Sequence, residues 1–65
     1  MQLIVGDKRV NVTVRAKGAV TVIIALKGEE LHKAGLQSRY IEVRWVSSAT
    51  CPLVVAEGRS GYRAC

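Results

Sequence analysis

The sequence has no phenylalanine, one tryptophan and two tyrosines among its 65 residues, so any core must be built almost entirely from aliphatic side chains. A chain of this length forms one domain at most, and so small a core typically supplies only about 3–5 kcal/mol of stability. We therefore expect a single β-rich domain over residues 1–57 that pairs with a second copy as a homodimer. After this domain, residues 58–65 contain two glycines and show no alternation of apolar and polar residues, which predicts a flexible tail.

Residues for catalysis and metal binding are also scarce. The one histidine, His32, lies in a charged segment, where an exposed imidazole is expected. The two cysteines, Cys51 and Cys65, lack the Cys-x-x-Cys spacing of a zinc site, and the scattered glycines form no phosphate-binding loop. We therefore expect a protein that is not an enzyme, with no catalytic residues, no metal site and no cofactor.

Long apolar runs are missing as well. No run approaches the roughly 18 apolar residues of a membrane-spanning helix, and the N-terminal MQLIVGDKR is too short in its apolar part for a signal peptide. The sequence thus predicts a soluble, cytoplasmic protein that does not associate with membranes. In that compartment, Cys51 and Cys65 are expected to be reduced.

Apolar and polar residues alternate along much of the chain, which predicts a mainly β fold with one short helix. The segment 20–26 is apolar on both faces after its second residue, so we expect it to be the central and most buried strand. The segment 1–5 is predicted to be an edge strand. Strands are predicted over residues 1–5, 10–15, 20–26, 40–46 and 53–56.

The helix is predicted within residues 27–36, KGEELHKAGL, where the period of two is lost. Two glutamates in its first turn suit the positive end of the helix dipole. Gly35 in a left-handed conformation would end the helix in a Schellman motif, with Leu31 and Leu36 in apolar contact. At the start no side chain suits capping, which leaves Gly28 as the predicted N-cap residue.

Basic residues outnumber acidic ones by 10 to 5, and the resulting formal charge of +5 favours a polyanionic partner. Residues 1–27 hold five of these cations against a single acidic residue, Asp7. The cations fall at turns and on the polar face of a strand, and such a ribbon can contact phosphates and reach base edges. A surface that only keeps the protein soluble is the alternative. The candidate nucleic-acid-binding residues are Lys8, Arg9, Asn11, Thr13, Arg15 and Lys17.

The segment VTVIIALKGEELHKAGLQSRYIEVRWV resembles the swapped-hairpin family of AbrB-like DNA-binding proteins. It is more similar still to the SymE-like branch, in which the pattern LKG-x-x-L-x-x-A-G precedes two strands. That pattern is held here by Leu26, Lys27, Gly28, Leu31, Ala34 and Gly35. The resemblance covers most of residues 10–57 and implies two chains that exchange hairpins into one dimeric barrel. It also implies that Arg9, Arg15 and Lys17 lie at the DNA surface.

These observations lead to the hypothesis of a small basic DNA-binding protein, a transcriptional regulator or antitoxin-like module, whose N-terminal strand and turns contact duplex DNA. Two alternatives stay open. The SymE-like resemblance implies an RNA-binding toxin. The turn over residues 47–52 is longer than in the family, and would suit a mobile-element protein that binds and inhibits a host protein.

Overall fold

The computed structural model describes residues 1–46 and 49–65, which form seven short strands and one helix. The helix α1 (Gly28–Ala34) lies between the fourth and fifth strands. The predicted fold class, mainly β with one short helix, is confirmed. The strands are β1 (Gln2–Val5), β2 (Lys8–Asn11), β3 (Thr13–Lys17), β4 (Thr21–Ala25), β5 (Tyr40–Trp45), β6 (Leu53–Ala56) and β7 (Arg59–Ala64).

All seven strands belong to one antiparallel sheet with the order β2-β1-β7-β6-β5-β4-β3. The two edge strands, β2 and β3, are consecutive in the chain and are separated only by Val12. Because one residue joins opposite edges, the sheet has to curl into a half-barrel. One face of every strand therefore points inward to a shared core, and the other face points to solvent.

The core is aliphatic apart from one tyrosine, as the composition predicts. Each strand except β3 contributes at least one buried side chain, and α1 closes the core where it packs against β2. Val14 of β3 is partly buried against this cluster. The buried core residues are Leu3, Val10, Val12, Val22, Ile24, Leu26, Ala34, Leu36, Ile41, Val43, Val54, Ala56, Tyr62 and Ala64.

Helix α1 ends as predicted and begins differently. Gly35 takes a φ of 69°, and the N–H of Leu36 donates to the carbonyl of Leu31 at 3.1 Å, which is the Schellman arrangement. The prediction of Gly28 as the N-cap residue is wrong. Lys27 is the N-cap in extended conformation, with no side-chain cap, and its carbonyl accepts from Leu31 at 2.9 Å.

The sheet order corrects two predictions about strand position. β1, predicted to be an edge strand, lies between β2 and β7. β4, predicted to be central, is next to the edge strand β3, and its Ile23 is 40% exposed on the outer face. The predicted strand 10–15 is divided at Val12, because its first part pairs with β1 and its second part with β4.

The segment 58–65 differs most from its prediction. Residues predicted as a flexible tail form β7, which pairs with β1 on one side and β6 on the other. Glu57 and Gly58, with φ values of 52° and 72°, make the two-residue connection from β6, and positive φ at both positions is the requirement of a type I′ hairpin turn. Tyr62 and Ala64 of β7 are buried.

The structure contradicts the prediction of free thiols. Cys51 and Cys65 are joined by a disulfide with a Cα–Cα distance of 4.9 Å, within the ordinary range for such bonds. The pairing follows from β7, which carries Cys65 back to the start of β6. Of the predicted loop over residues 47–52, Ser47 and Ser48 lie outside the described residues. No helix in the described ranges is long and apolar enough to span a membrane.

Candidate nucleic-acid interface

The six residues predicted to bind nucleic acid lie on one continuous ribbon, β2–Val12–β3, which forms both edges of the sheet. All six are exposed. Asn11 and Thr13 alternate with the inward-facing Val10, Val12 and Val14, so the predicted alternation of faces is confirmed from residue 10 to residue 14. Beyond that stretch, Lys8 is in the row of Val10 at the start of β2, and Lys17 lies opposite Val22 after a bulge in β3. β2 carries Lys8, Arg9 and Asn11, and β3 carries Thr13, Arg15 and Lys17.

The ribbon does not bring its cations together. Lys8 and Arg9 lie at the end of β2 next to the turn that follows β1, whereas Arg15 and Lys17 lie at the far end of β3. At about 3.3 Å per residue, an extended chain from Lys8 to Lys17 spans at most about 30 Å. The structure thus presents two separate cationic pairs, one at each end of the ribbon.

The middle of the ribbon has an acidic neighbour. Asn11 and Thr13 line a depression together with Lys27, Glu29 and Glu30 at the start of α1. Phosphate groups are repelled by two nearby carboxylates, so this middle section is less suited to the backbone of a nucleic acid than the two ends.

Asn11 is also committed to contacts within the protein. Its backbone N–H donates to the buried carboxylate of Glu30 at 3.0 Å, and its side-chain oxygen accepts from the amide of Gln2 at 2.8 Å. Glu30 in turn lies 3.8 Å from the ammonium of Lys33. Asn11 therefore ties β1, β2 and α1 together, which is a structural role that its sequence position alone does not reveal.

Most of the basic side chains have no carboxylate partner. All ten lysines and arginines are exposed, and two of them, Lys33 and Arg59, form ion pairs, with Glu30 and Glu57 respectively. Within the described ranges the other eight, including all four cations of the ribbon, contact no carboxylate within 4.0 Å. Their charge is thus available to an external anion.

Arg63 is a basic residue near the ribbon that is not among the predicted site residues, because it falls in the segment predicted to be a flexible tail. It faces Ile4 across β7 and β1, and Arg9 faces the same Ile4 from β2. All three are on the outer face, since Leu3 and Ala64 beside them point inward. The alternation of buried Tyr62 and Ala64 with Arg63 is a strand signal, but Gly58 and Gly61 obscure it.

The histidine and two of the aromatic residues differ in their exposure to solvent. Trp45 is half-buried and packs against the core, while Tyr40 is 66% exposed on the outer face of β5. His32 is exposed on α1. In the described part of the chain, no three His, Cys, Asp or Glu residues are grouped so that they could hold a metal ion.

The comparisons with known proteins leave the family open. The resemblance to AbrB-like proteins, including its SymE-like branch, stays a prediction. No family model, curated protein sequence or solved structure matches the chain.

Proposed function

We propose that this protein binds duplex DNA through the two cationic ends of the β2–Val12–β3 ribbon, as a transcriptional regulator or antitoxin-like module. Lys8 and Arg9 at one end, and Arg15 and Lys17 at the other, contact phosphate groups. Asn11 and Thr13, between them, are the neutral residues of the predicted site. The proposal includes a cytoplasmic location, where DNA is accessible, and it therefore requires the Cys51–Cys65 disulfide to persist in a reducing compartment, where such bonds are rare.

One observation carries this proposal. The four cations of the ribbon are exposed and have no carboxylate within 4.0 Å among the described residues, although the protein has five acidic side chains. Two of those acidic residues, Glu30 and Glu57, are used in contacts inside the fold. An unneutralised basic edge on a protein of charge +5 is suited to a polyanion with closely spaced charges.

The proposed active form is a homodimer, with the exchanged hairpins that the resemblance implies. Support comes from large apolar side chains left exposed on a small protein: Val20, Ile23, Tyr40, Val46 and Leu53 are each at least 40% exposed. A second copy would bring a second ribbon and double the number of cations facing the duplex.

Binding of a short mixed-sequence DNA duplex, measured by fluorescence anisotropy at about 50 mM salt, tests the proposal. Two double variants, Lys8→Gln with Arg9→Gln and Arg15→Gln with Lys17→Gln, each remove one cationic end. Each should weaken binding by more than about tenfold, because each removes two phosphate contacts, which contribute to affinity regardless of sequence.

A matched control removes the same charge elsewhere. Arg39→Gln with Arg44→Gln lowers the net charge equally, in the segment before β5 and on β5, and like the ribbon cations both arginines are exposed and have no ion pair among the described residues. It should weaken binding much less than either ribbon variant. Equal losses in all three double variants would mean that only net charge matters, and would contradict a defined interface.

A single-stranded RNA of the same length, used in the same assay, tests the second candidate function, the RNA-binding toxin. The observation that favours it is Tyr40, whose ring is 66% exposed on the outer sheet face, since exposed aromatic rings stack on unpaired bases. Tighter binding of RNA than of duplex DNA, lost in Tyr40→Ala, would replace the leading proposal with this one.

The third candidate, inhibition of a host protein, has no described contact in its favour, because two residues of the turn over 47–52 lie outside the described ranges. A stoichiometric protein partner that nuclease treatment does not remove would establish it in place of the other two.

A further inference from the structure

Two arginines flank one aliphatic residue on the outer face of the sheet. Ile4 of β1 is paired with Arg9 of β2 on one side and with Arg63 of β7 on the other. The two arginines are therefore separated by two strand spacings, which is about 10 Å between their Cα atoms. Ile4 is partly buried between them, and the aliphatic parts of arginine side chains can cover such a residue while the charged heads reach solvent.

Both guanidinium groups are free of acidic partners. Arg9 and Arg63 are exposed, and neither lies within 4.0 Å of a carboxylate in the described part of the chain. The same row of outer-face residues continues through the apolar Leu53, which is paired with Arg63, so no acid interrupts it on that side. Asp7, in the turn before β2, is the acidic residue nearest in sequence to Arg9, and Glu57 is the one nearest to Arg63; neither forms an ion pair with either arginine.

Backbone contacts fix the position of β7 beside β1, and the Arg63 side chain makes one exposed hydrogen bond on the side of β7 away from β1. Its Nη1 donates to the carbonyl of Cys51 at 3.3 Å. Cys51 forms a disulfide with Cys65, which follows Arg63 by two residues. Cys65 also exchanges two backbone hydrogen bonds with Gln2, both at 2.9 Å. The disulfide and these bonds fasten the end of β7 to β1, and so fix the position of Arg63 relative to Arg9.

We infer that Arg9 and Arg63 together form a phosphate-binding site on the outer face of the sheet, which engages two phosphate groups of one nucleic-acid strand. One strand of duplex DNA carries a charge about every 3.4 Å of helix axis, and its winding places neighbouring phosphates farther apart through space than this rise. Two long, flexible arginine side chains whose Cα atoms are about 10 Å apart can therefore reach two neighbouring phosphates. Arginine suits this role because its planar fork forms paired hydrogen bonds to phosphate oxygens. The site rests on the proposed function and extends the interface from the ribbon onto β1 and β7.

Three single variants with the same charge change test the site. Arg9→Gln and Arg63→Gln should each weaken duplex DNA binding about tenfold, whereas Arg39→Gln, a control in the segment before β5, should have less than about a twofold effect. The pair should also be coupled, so that the double variant loses less than the product of the two single losses. An affinity of Arg63→Gln equal to that of the control would overturn the inference.

A second measurement on the unaltered protein does not depend on how the variants fold. Backbone amide chemical shifts are followed by NMR while the same duplex is added, and the site predicts large changes at Ile4 and Arg63. Changes confined to β3, with none at Ile4 or Arg63, would contradict it.

Titration with inorganic tripolyphosphate separates this inference from the proposed function. If the unaltered protein fails to bind DNA, the proposed function falls, but saturable tripolyphosphate shifts at Ile4 and Arg63 that disappear in Arg9→Gln would still support the phosphate site. Absence of those shifts would overturn the site as well. DNA binding that depends on the ribbon variants but not on Arg63 would leave the proposed function standing without this site.

Discussion

The hydroxyl group of Tyr62 donates a buried hydrogen bond of 3.0 Å to the carbonyl oxygen of Ala34. Ala34 is the last residue of α1, where carbonyl groups have no partner within the helix. Tyr62 lies on β7, 28 residues further along the chain. One side chain of the last strand therefore satisfies the end of the helix and fills part of the core.

Tyr62→Phe should destabilise the protein by about 1 kcal/mol or somewhat more, because it removes the hydroxyl and leaves the buried carbonyl of Ala34 without a donor. Tyr40→Phe is the matched control, since the Tyr40 side chain is 66% exposed and its change should lie within about 0.5 kcal/mol of zero. Urea denaturation followed by circular dichroism measures both. Equal stabilities for the two variants would contradict the role of Tyr62.

Glu30→Ala should destabilise the fold by about 1 kcal/mol or somewhat more, because the partly buried backbone N–H of Asn11 then loses its acceptor. Glu29→Ala is the control: Glu29 precedes it in the same helical turn and is exposed, so only a weak interaction with the helix dipole is lost. Thermal denaturation of the two variants should give clearly different midpoints. A smaller effect at Glu30 than at Glu29 would show that the contact with Asn11 contributes nothing.

Glu57 combines a strained backbone with a stabilising side chain. Its φ is 52°, and its carboxylate accepts backbone N–H groups from Gln37 and Ser38, each at 3.0 Å. Glu57→Gly should relieve the backbone strain but lose those bonds, whereas Glu57→Gln keeps the strain and one acceptor oxygen. We expect Glu57→Ala, which keeps the strain and loses every bond, to be the least stable of the three by about 1–2 kcal/mol. Urea denaturation gives the order, and a more stable Ala variant would contradict it.

The disulfide between Cys51 and Cys65 closes a loop with a sequence separation of 14. A loop of that size is expected to contribute about 3 kcal/mol, chiefly by restricting the unfolded chain. Replacing both cysteines by serine should lower the unfolding free energy by roughly this amount. Alkylation of the unfolded, unreduced protein followed by mass measurement should find no free thiol. Two alkylated cysteines would contradict the disulfide and support the prediction of reduced thiols.

The sequence predicted the parts of the fold that depend on neighbouring residues. Gly35 is followed by an apolar residue and preceded by a helical pattern, so the Schellman ending follows from local chemistry alone. The alternation of Val10, Val12 and Val14 likewise predicted that Asn11 and Thr13 between them are exposed. These features need no knowledge of which strands pair.

Features that depend on distant pairing could not be predicted in the same way. β7 was not predicted as a strand, because Gly58 and Gly61 weaken its alternating pattern. Its pairing with β1 brings together the two ends of the chain, which no local pattern indicates. The disulfide and the position of Arg63 beside Arg9 both follow from that one pairing. The candidate site was therefore predicted along the ribbon and missed on the outer face.

The salt dependence of duplex DNA binding tests the central claim most directly. If a dimer neutralises about six phosphates, the plot of log K against log salt concentration should have a slope near −5 for the unaltered protein. The double variant Arg15→Gln with Lys17→Gln should have a shallower slope, because each dimer then makes fewer phosphate contacts. No duplex binding at about 50 mM salt, or a slope that the ribbon variants leave unchanged, would contradict the proposal that this basic ribbon binds DNA.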